Sequence, residues 1–172
     1  AYAFTGGESM SIAQVLERIA SFAVRHVCVT GGEPLAQRDC PTLLAALCDA
    51  GYAVSVETAG ALDVSAVDAR VVKVMDLKTP GSGEVARNLW DNLEHLAPTD
   101  QVKFVICDET DYRWAAAQVV EHDLARRCSV LFSPAEGRLA PTDLAEWILR
   151  DRLTVRLQLQ LHKILWGDER GR

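Results

Sequence analysis

The sequence has no long basic run, no stripe alternating basic and aromatic residues, and no cysteine pair at C-x-x-C spacing. The first two absences, together with a net charge of −6, argue against a nucleic-acid-binding surface, because phosphate contacts require clustered Lys and Arg. The third argues against a zinc or dithiol redox site. The five cysteines are odd in number and scattered, at Cys28, Cys40, Cys48, Cys107 and Cys128. Cys28 and Cys107 sit within apolar runs and are expected to be buried as small hydrophobes. G-x-G-x-x-G and G-x-x-x-x-G-K-[ST] are also absent, which removes the common phosphate-cradling loops. No apolar run approaches the roughly 20 residues that cross a bilayer. The opening Ala1-Tyr2-Ala3-Phe4-Thr5-Gly6-Gly7 is not a signal peptide. An acidic chain of this kind is expected in the cytoplasm. There is no initiating methionine, which predicts that the chain begins inside something longer.

What is present suits a single globular domain: 172 residues, 49% apolar and 24% charged. Apolar, β-branched runs occupy 26–30, 53–57, 71–76, 101–107, 129–133 and 154–161. Several are continuous, as expected of parallel strands covered on both faces. Between them lie stretches of helical period. Ser11-Ile12-Ala13-Gln14 has the form of a capping box, with Ile12, Val15, Leu16, Ile19 and Ala23 marking one face. Pro41 opens a second helix that stops near Gly51. A weaker helical pattern covers 84–96, Thr110 or Asp111 is placed to cap the next helix, and Pro141-Thr142-Asp143 opens the last. This alternation predicts a parallel α/β sheet made of right-handed crossovers, either an open doubly wound sheet or a partly closed barrel.

In both architectures ligands bind beyond the carboxyl ends of the strands. The first strand runs into Thr30-Gly31-Gly32-Glu33-Pro34. Its glycines permit positive φ and close backbone approach, and the carboxylate beside them is a ready acceptor for an ammonium group. The second strand ends in Glu57-Thr58-Ala59-Gly60; taken alone, a carboxylate there is a solvated strand end. The third ends in Asp76-Leu77-Lys78, which by itself reads as a surface pair. Lys103, in an otherwise apolar strand, either points into a lumen or lies at an edge with its stem snorkelling. Ser133-Pro134 closes the next strand and is a weaker candidate for substrate contact. Near the C-terminus Gln158, Gln160 and His162 share one face of an alternating run, predicting a half-buried strand. His26, His95 and His122 read as ordinary strand-start and helix-surface residues.

Together these motifs resemble the 7-carboxy-7-deazaguanine synthase family of radical S-adenosylmethionine enzymes. The resemblance rests on Thr-Gly-Gly-Glu-Pro after an apolar strand, Glu-Thr-x-Gly after the next, the segment ending in Lys78, and Gln160-Leu161-His162-Lys163 near the chain end. It extends from Ala1 to about Gly167. The usual third segment in the family is Ser-Pro-Lys, so Asp76-Leu77 departs from it.

The resemblance implies a partial parallel β/α barrel in one radical S-adenosylmethionine domain, residues 1–172. It also implies a carbon–nitrogen lyase that converts 6-carboxy-5,6,7,8-tetrahydropterin to 7-carboxy-7-deazaguanine and ammonia, on the way to queuosine. By the same resemblance, Gly31, Gly32, Glu33, Glu57, Asp76, Leu77 and Lys78 would hold S-adenosylmethionine and Thr30 would touch the pterin. A 4Fe-4S cluster on a C-x-x-x-C-x-x-C loop would cleave S-adenosylmethionine to a 5′-deoxyadenosyl radical, and Mg²⁺ on a following threonine would assist ring contraction. That loop, the threonine, further pterin contacts and the first barrel strand would lie ahead of Ala1-Tyr2-Ala3-Phe4, so this polypeptide alone is expected to be inactive. The remaining implied partners are a reductant such as flavodoxin and a second copy in a homodimer; neither nucleic acid nor membrane is expected. Two other readings stay open: a non-catalytic α/β nucleotide-binding module with Gly31-Gly32 over phosphate at a helix N-terminus, and a radical activase acting on a protein glycine.

Overall fold

A computed structural model describes residues 7–167, the side chain of His162 apart. In chain order the main elements are α1 (Ile12–Ala20), β1 (His26–Val29), α2 (Cys40–Asp49), β2 (Ala53–Thr58), β3 (Val72–Leu77) and β4 (Gln101–Ile106). They continue with α3 (Glu109–Glu121), α4 (Leu124–Arg127), β5 (Ser129–Pro134), α5 (Pro141–Arg150), β6 (Arg156–Leu157) and α6 (Leu161–Trp166).

The six strands form one sheet in the order β1-β2-β3-β4-β5-β6, every neighbouring pair parallel. That order decides between the two architectures left open by the sequence. In a doubly wound sheet the strand order reverses at a switch point. Here each crossover advances in the same direction, and with the right-handedness usual for such connections the helices stay on one face. The result is an incomplete barrel wall, unclosed between β1 and β6.

Period-2 alternation sorts the residues between the two faces. Val54, Val56, Met75, Leu77, Val102, Phe104, Ile106, Val130 and Phe132 are buried in two clusters beneath the helices. Phe104 meets Phe132 edge to face, with ring centroids 5.6 Å apart. The residues between them look the other way. Ser55, Glu57, Val74, Asp76, Gln101 and Lys103 are less buried and lie in register across the strands, Asp76 opposite Lys103.

α1 begins as predicted. Ser11 Oγ accepts from the Gln14 N–H at 3.3 Å, and Gln14 Oε1 accepts from the Ser11 N–H at 2.8 Å. Its apolar face is half-buried, with Leu16 and Ile19 packed on the β1–β2 core. Ala23 is not part of that face: the helix ends at Ala20 and Ala23 takes φ 51°.

Four other expectations are corrected. The stretch 84–96 is not an α-helix but two 3₁₀ segments, Val85–Arg87 and Trp90–His95. Asn88 and Asn92 point inward and bond loop backbones (below), which breaks the helical period. The cap of α3 is Asp108, accepting from the Asp111 N–H at 3.0 Å, because Asp111 is engaged elsewhere. Cys28 is exposed and Cys107 half-buried, while Cys40 and Cys128 are buried. Val27 and Val29 take the helix side of β1, and alternation turns Cys28 away from it. Finally, the strand expected over 154–161 is only Arg156–Leu157. Its ladder runs out at β5, whose last residue Pro134 has no N–H, after Gln158 N–H donates to Phe132 O. Gln160 then caps α6, so Gln158 and Gln160 form no strand face.

Candidate active site

The carboxyl ends of β1 to β3 and the middle of β4 converge on a small cleft of about 140 Å³. Thr30, Gly32, Glu57, Asp76, Lys78 and Lys103 line it, with Val74 as its apolar floor. Of the residues picked from sequence, these therefore come together. Gly31 opens instead onto an adjoining groove bounded by the starts of α1 and α2. The Leu77 side chain is fully buried in the helix-side core, so only its backbone is available to a ligand. Ser133 is buried at the end of β5, opposite Val105.

Two turns build the left wall. Gly31 and Gly32 take φ of 96° and 51°, the left-handed region that a side chain resists. The chain then delivers Glu33 inward rather than toward the cleft. Its carboxylate accepts from Leu35 N–H at 3.1 Å, from Thr58 Oγ1 at 3.0 Å and from Ala59 N–H at 2.7 Å. Glu33 thus ties the turn after β1 to the turn after β2. Glu57, exposed at the end of β2, accepts from Thr30 Oγ1 at 3.3 Å.

That arrangement yields a first expected result. Glu33→Ala leaves two backbone donors and a hydroxyl without their acceptor, at a cost of about 1–3 kcal/mol. Urea unfolding of the ligand-free protein measures it. An unchanged midpoint would mean that the carboxylate is idle until a ligand's ammonium arrives.

The right wall is braced from below. Asn88 accepts from Lys78 N–H at 2.8 Å and donates to Lys78 O at 2.9 Å, pairing with that backbone as a strand would. Asn92 accepts from Val64 N–H at 3.1 Å and donates to Gly60 O and Leu62 O. Asp111, almost wholly buried, accepts from Thr79 Oγ1, Gly81 N–H and Cys107 N–H, joining the loops after β3 and β4. Sequence reasoning missed Asn88 and Asn92 and read Asp111 only as a candidate cap. The only signal was a pair of asparagines four apart on the apolar face of a would-be helix.

The charges in the cleft are unevenly matched. Lys78 Nζ bonds Asp76 Oδ2 at 2.9 Å. Asp76 Oδ1 and Ser133 Oγ are buried without a hydrogen-bond partner, which natural structures rarely leave so. Lys103 makes no ion pair or hydrogen bond among the described residues. A ligand bringing donors and acceptors to this face would satisfy these groups. A larger groove of about 410 Å³, lined by Arg126, Arg127 and Arg156 among others, lies at the opposite end of the strands and contains none of the predicted site residues.

No family model matches the chain. Individual relatives do. A 7-carboxy-7-deazaguanine synthase from Chlorobaculum tepidum is 44% identical over 99% of this chain and 79% of its own length. The chain belongs to the 7-carboxy-7-deazaguanine synthase family. Another member, from Koribacter versatilis, is 39% identical over 98% of this chain and 81% of its own length. Among solved structures, QueE from Escherichia coli superposes with a TM-score of 0.66 at 19% identity, covering 88% of this chain and 64% of that one. SuiB from Streptococcus suis, solved bound to S-adenosylmethionine, gives 0.64 at 13% identity over 91% and 43%. At such identities these two likenesses establish the fold alone.

Membership supports the lyase classification. It does not supply cluster ligands from the residues in hand. Among the described residues no group of three or more His, Cys, Asp and Glu side chains is placed to hold a metal ion. Cys40 and Cys48 lie on α2, Cys107 follows β4 at one end of the sheet, and Cys128 precedes β5 at the other. Burial raises the thiols of Cys40, Cys48 and Cys107, and pushes Cys128 up to about 11, whereas iron ligation needs thiolates. The five cysteines of this chain do not fit a 4Fe-4S cluster.

Proposed function

We propose that this chain provides the S-adenosylmethionine and pterin site of a 7-carboxy-7-deazaguanine synthase, acting on 6-carboxy-5,6,7,8-tetrahydropterin to release 7-carboxy-7-deazaguanine and ammonia in queuosine biosynthesis. The observation that carries the reading is the 44% identity to the Chlorobaculum relative over nearly the whole chain. The cleft is consistent with it. It offers a carboxylate at Glu57, a buried unpartnered acceptor at Asp76 Oδ1 and a cation at Lys103, along one end of a parallel sheet.

In this reading S-adenosylmethionine lies across the ends of β1 to β3. Gly31 and Gly32 allow its methionine portion to approach the backbone, and Glu33 fixes their turn. Glu57, Asp76 and Lys78 accept from and donate to its polar groups, with the backbone of Leu77 between them. Thr30, held by Glu57, faces the pterin. S-adenosylmethionine supplies the radical chemistry when bound; the protein orients the two ligands and keeps water from the reacting atoms. Among the described residues no group of three or more His, Cys, Asp and Glu side chains is placed to hold the 4Fe-4S cluster or Mg²⁺. A flavodoxin-like reductant, a homodimer and a cytoplasmic location belong to the same proposal; among the described residues, no helix is long and apolar enough to cross a membrane.

Two measurements test it. Anaerobic treatment of the 172-residue polypeptide with iron and sulfide is expected to leave no stoichiometric 4Fe-4S absorbance or iron. A stable cluster would overturn the cysteine argument above. The product of the whole reading frame, assayed with S-adenosylmethionine, dithionite and the pterin, is expected to form 7-carboxy-7-deazaguanine and 5′-deoxyadenosine. Cleavage of S-adenosylmethionine without pterin turnover would reject the synthase and favour another radical enzyme.

A further inference from the structure

Lys103 lines the cleft without an ion pair or hydrogen bond among the described residues. It stands near the middle of β4, one of the central strands, with its side chain in the cleft between walls built by β2 and β3. Its register neighbour is Asp76. That carboxylate gives Oδ2 to Lys78 and leaves Oδ1 buried and unpartnered, so Lys103 has not been drawn into the existing pair. On the far side of Val74, Glu57 meets only the Thr30 hydroxyl among the described residues. Asp76 thus stands between two ammonium groups, Lys78 and Lys103, and is paired with only the first, while Glu57 on β2 makes no ion pair among the described residues. Glu57 is level with Gln101, two residues short of Lys103, so with one strand between, the two positions stand roughly 12 Å apart at ordinary strand spacing. A half-buried ammonium without a counter-ion carries a desolvation cost that a bound anion relieves.

Resting on the reading under Proposed function, we propose that Lys103 is a ligand-binding residue that receives a carboxylate in this cleft through a charge-assisted hydrogen bond. Both ligands of the reaction carry one: the methionine end of the cofactor and the pterin substrate. The bound carboxylate takes the place of the missing counter-ion on β4, and the ligand's apolar body lies over Val74. Lys78, already committed to Asp76, does not do this.

The test compares ligand pairs that differ in the carboxylate-bearing portion. S-adenosylhomocysteine is set against 5′-methylthioadenosine, and pterin-6-carboxylate against 6-methylpterin, by calorimetry with the wild-type chain and with Lys103→Met and Lys103→Arg. Loss of one charge-assisted contact is expected to weaken the carboxylate-bearing member of one pair about tenfold or more in Lys103→Met. Its partner is expected to be unaffected, and Lys103→Arg to retain most of the affinity. An effect confined to S-adenosylhomocysteine assigns the cofactor's carboxylate, and one confined to pterin-6-carboxylate assigns the substrate's. Equal weakening of both members of each pair, or none, overturns the proposal. If Lys103→Met loses its native circular dichroism, Lys103→Gln replaces it. Failure of the wild-type chain to bind any of the four ligands overturns the cofactor reading, and this inference with it. Binding of all four that ignores position 103 overturns this inference alone.

Discussion

Asp100→Ala is expected to destabilise the protein by about 3–5 kcal/mol, the cost of stranding a buried charge. Lys73 lies on the helix side of β3, where its neighbours are Met75 and Leu77, and its side chain is only 6% exposed. Its Nζ meets Asp100 Oδ2 at 2.9 Å. Asp100, itself 1% exposed, also accepts from the backbone N–H of Lys73 at 2.8 Å and of Ala97 at 2.7 Å. Alanine at 100 removes all three interactions and leaves an ammonium among aliphatic side chains. The pair itself is not expected to be worth that much. Lys73→Met combined with Asp100→Asn removes the charge and retains one backbone acceptor, and should recover much of the loss. Chemical unfolding of the single and double variants makes the comparison. A small effect from Asp100→Ala alone would mean that Lys73 escapes to water.

The second large effect is expected at Asp111. Its two oxygens serve Thr79 Oγ1 at 3.0 Å, Gly81 N–H at 2.7 Å and Cys107 N–H at 3.0 Å. Asp111→Ala leaves the Gly81 and Cys107 N–H groups without an acceptor in a buried joint, while Thr79 Oγ1 keeps Val105 O. At about 1–3 kcal/mol for the first group so abandoned, and less for those that water can reach, a loss of roughly 3 kcal/mol follows. The loss should be local as well as global. Hydrogen exchange at Gly81 and Cys107 is expected to quicken more than at Val102, deep in β4. Uniform acceleration across the sheet would show instead that the joint has no local role. Gly81 belongs to the same joint: a Cβ there would stand 2.5 Å from Asp111 Oδ2, so no larger residue fits without moving the carboxylate.

The strands were legible because each is an apolar run ended by a turn signal, and burial on the helix side demands that pattern. The cap at Ser11 and the opening of α5 at Pro141 were legible because helix starts are local chemistry. Strand order was not, since the same alternation serves open and barrel-like sheets, and only the crossovers decide. The cleft residues were located by the rule that ligands meet carboxyl strand ends, yet their orientation was hidden. Glu33 read as a free carboxylate and turns inward to Thr58 and Ala59. Lys73, one residue among valines, gave no sign that its partner lay at Asp100. Asn88 and Asn92 lay unremarked within the helical pattern over 84–96. Each of these misreadings concerns a polar side chain whose partner is distant in sequence, a pairing no local pattern records. At the C-terminus the alternating leucines of 154–161 promised a strand, but its ladder on β5 stops where Pro134 has no N–H to offer.

The unbroken strand order has a kinetic side. Every ladder joins a strand to the one just before it, so no pairing must wait for a segment from the far end of the chain. Loop closure at each step spans a single crossover, which keeps the entropic toll per step low. Such a wall can grow strand by strand as the polypeptide leaves the ribosome, each new strand finding its template already laid down.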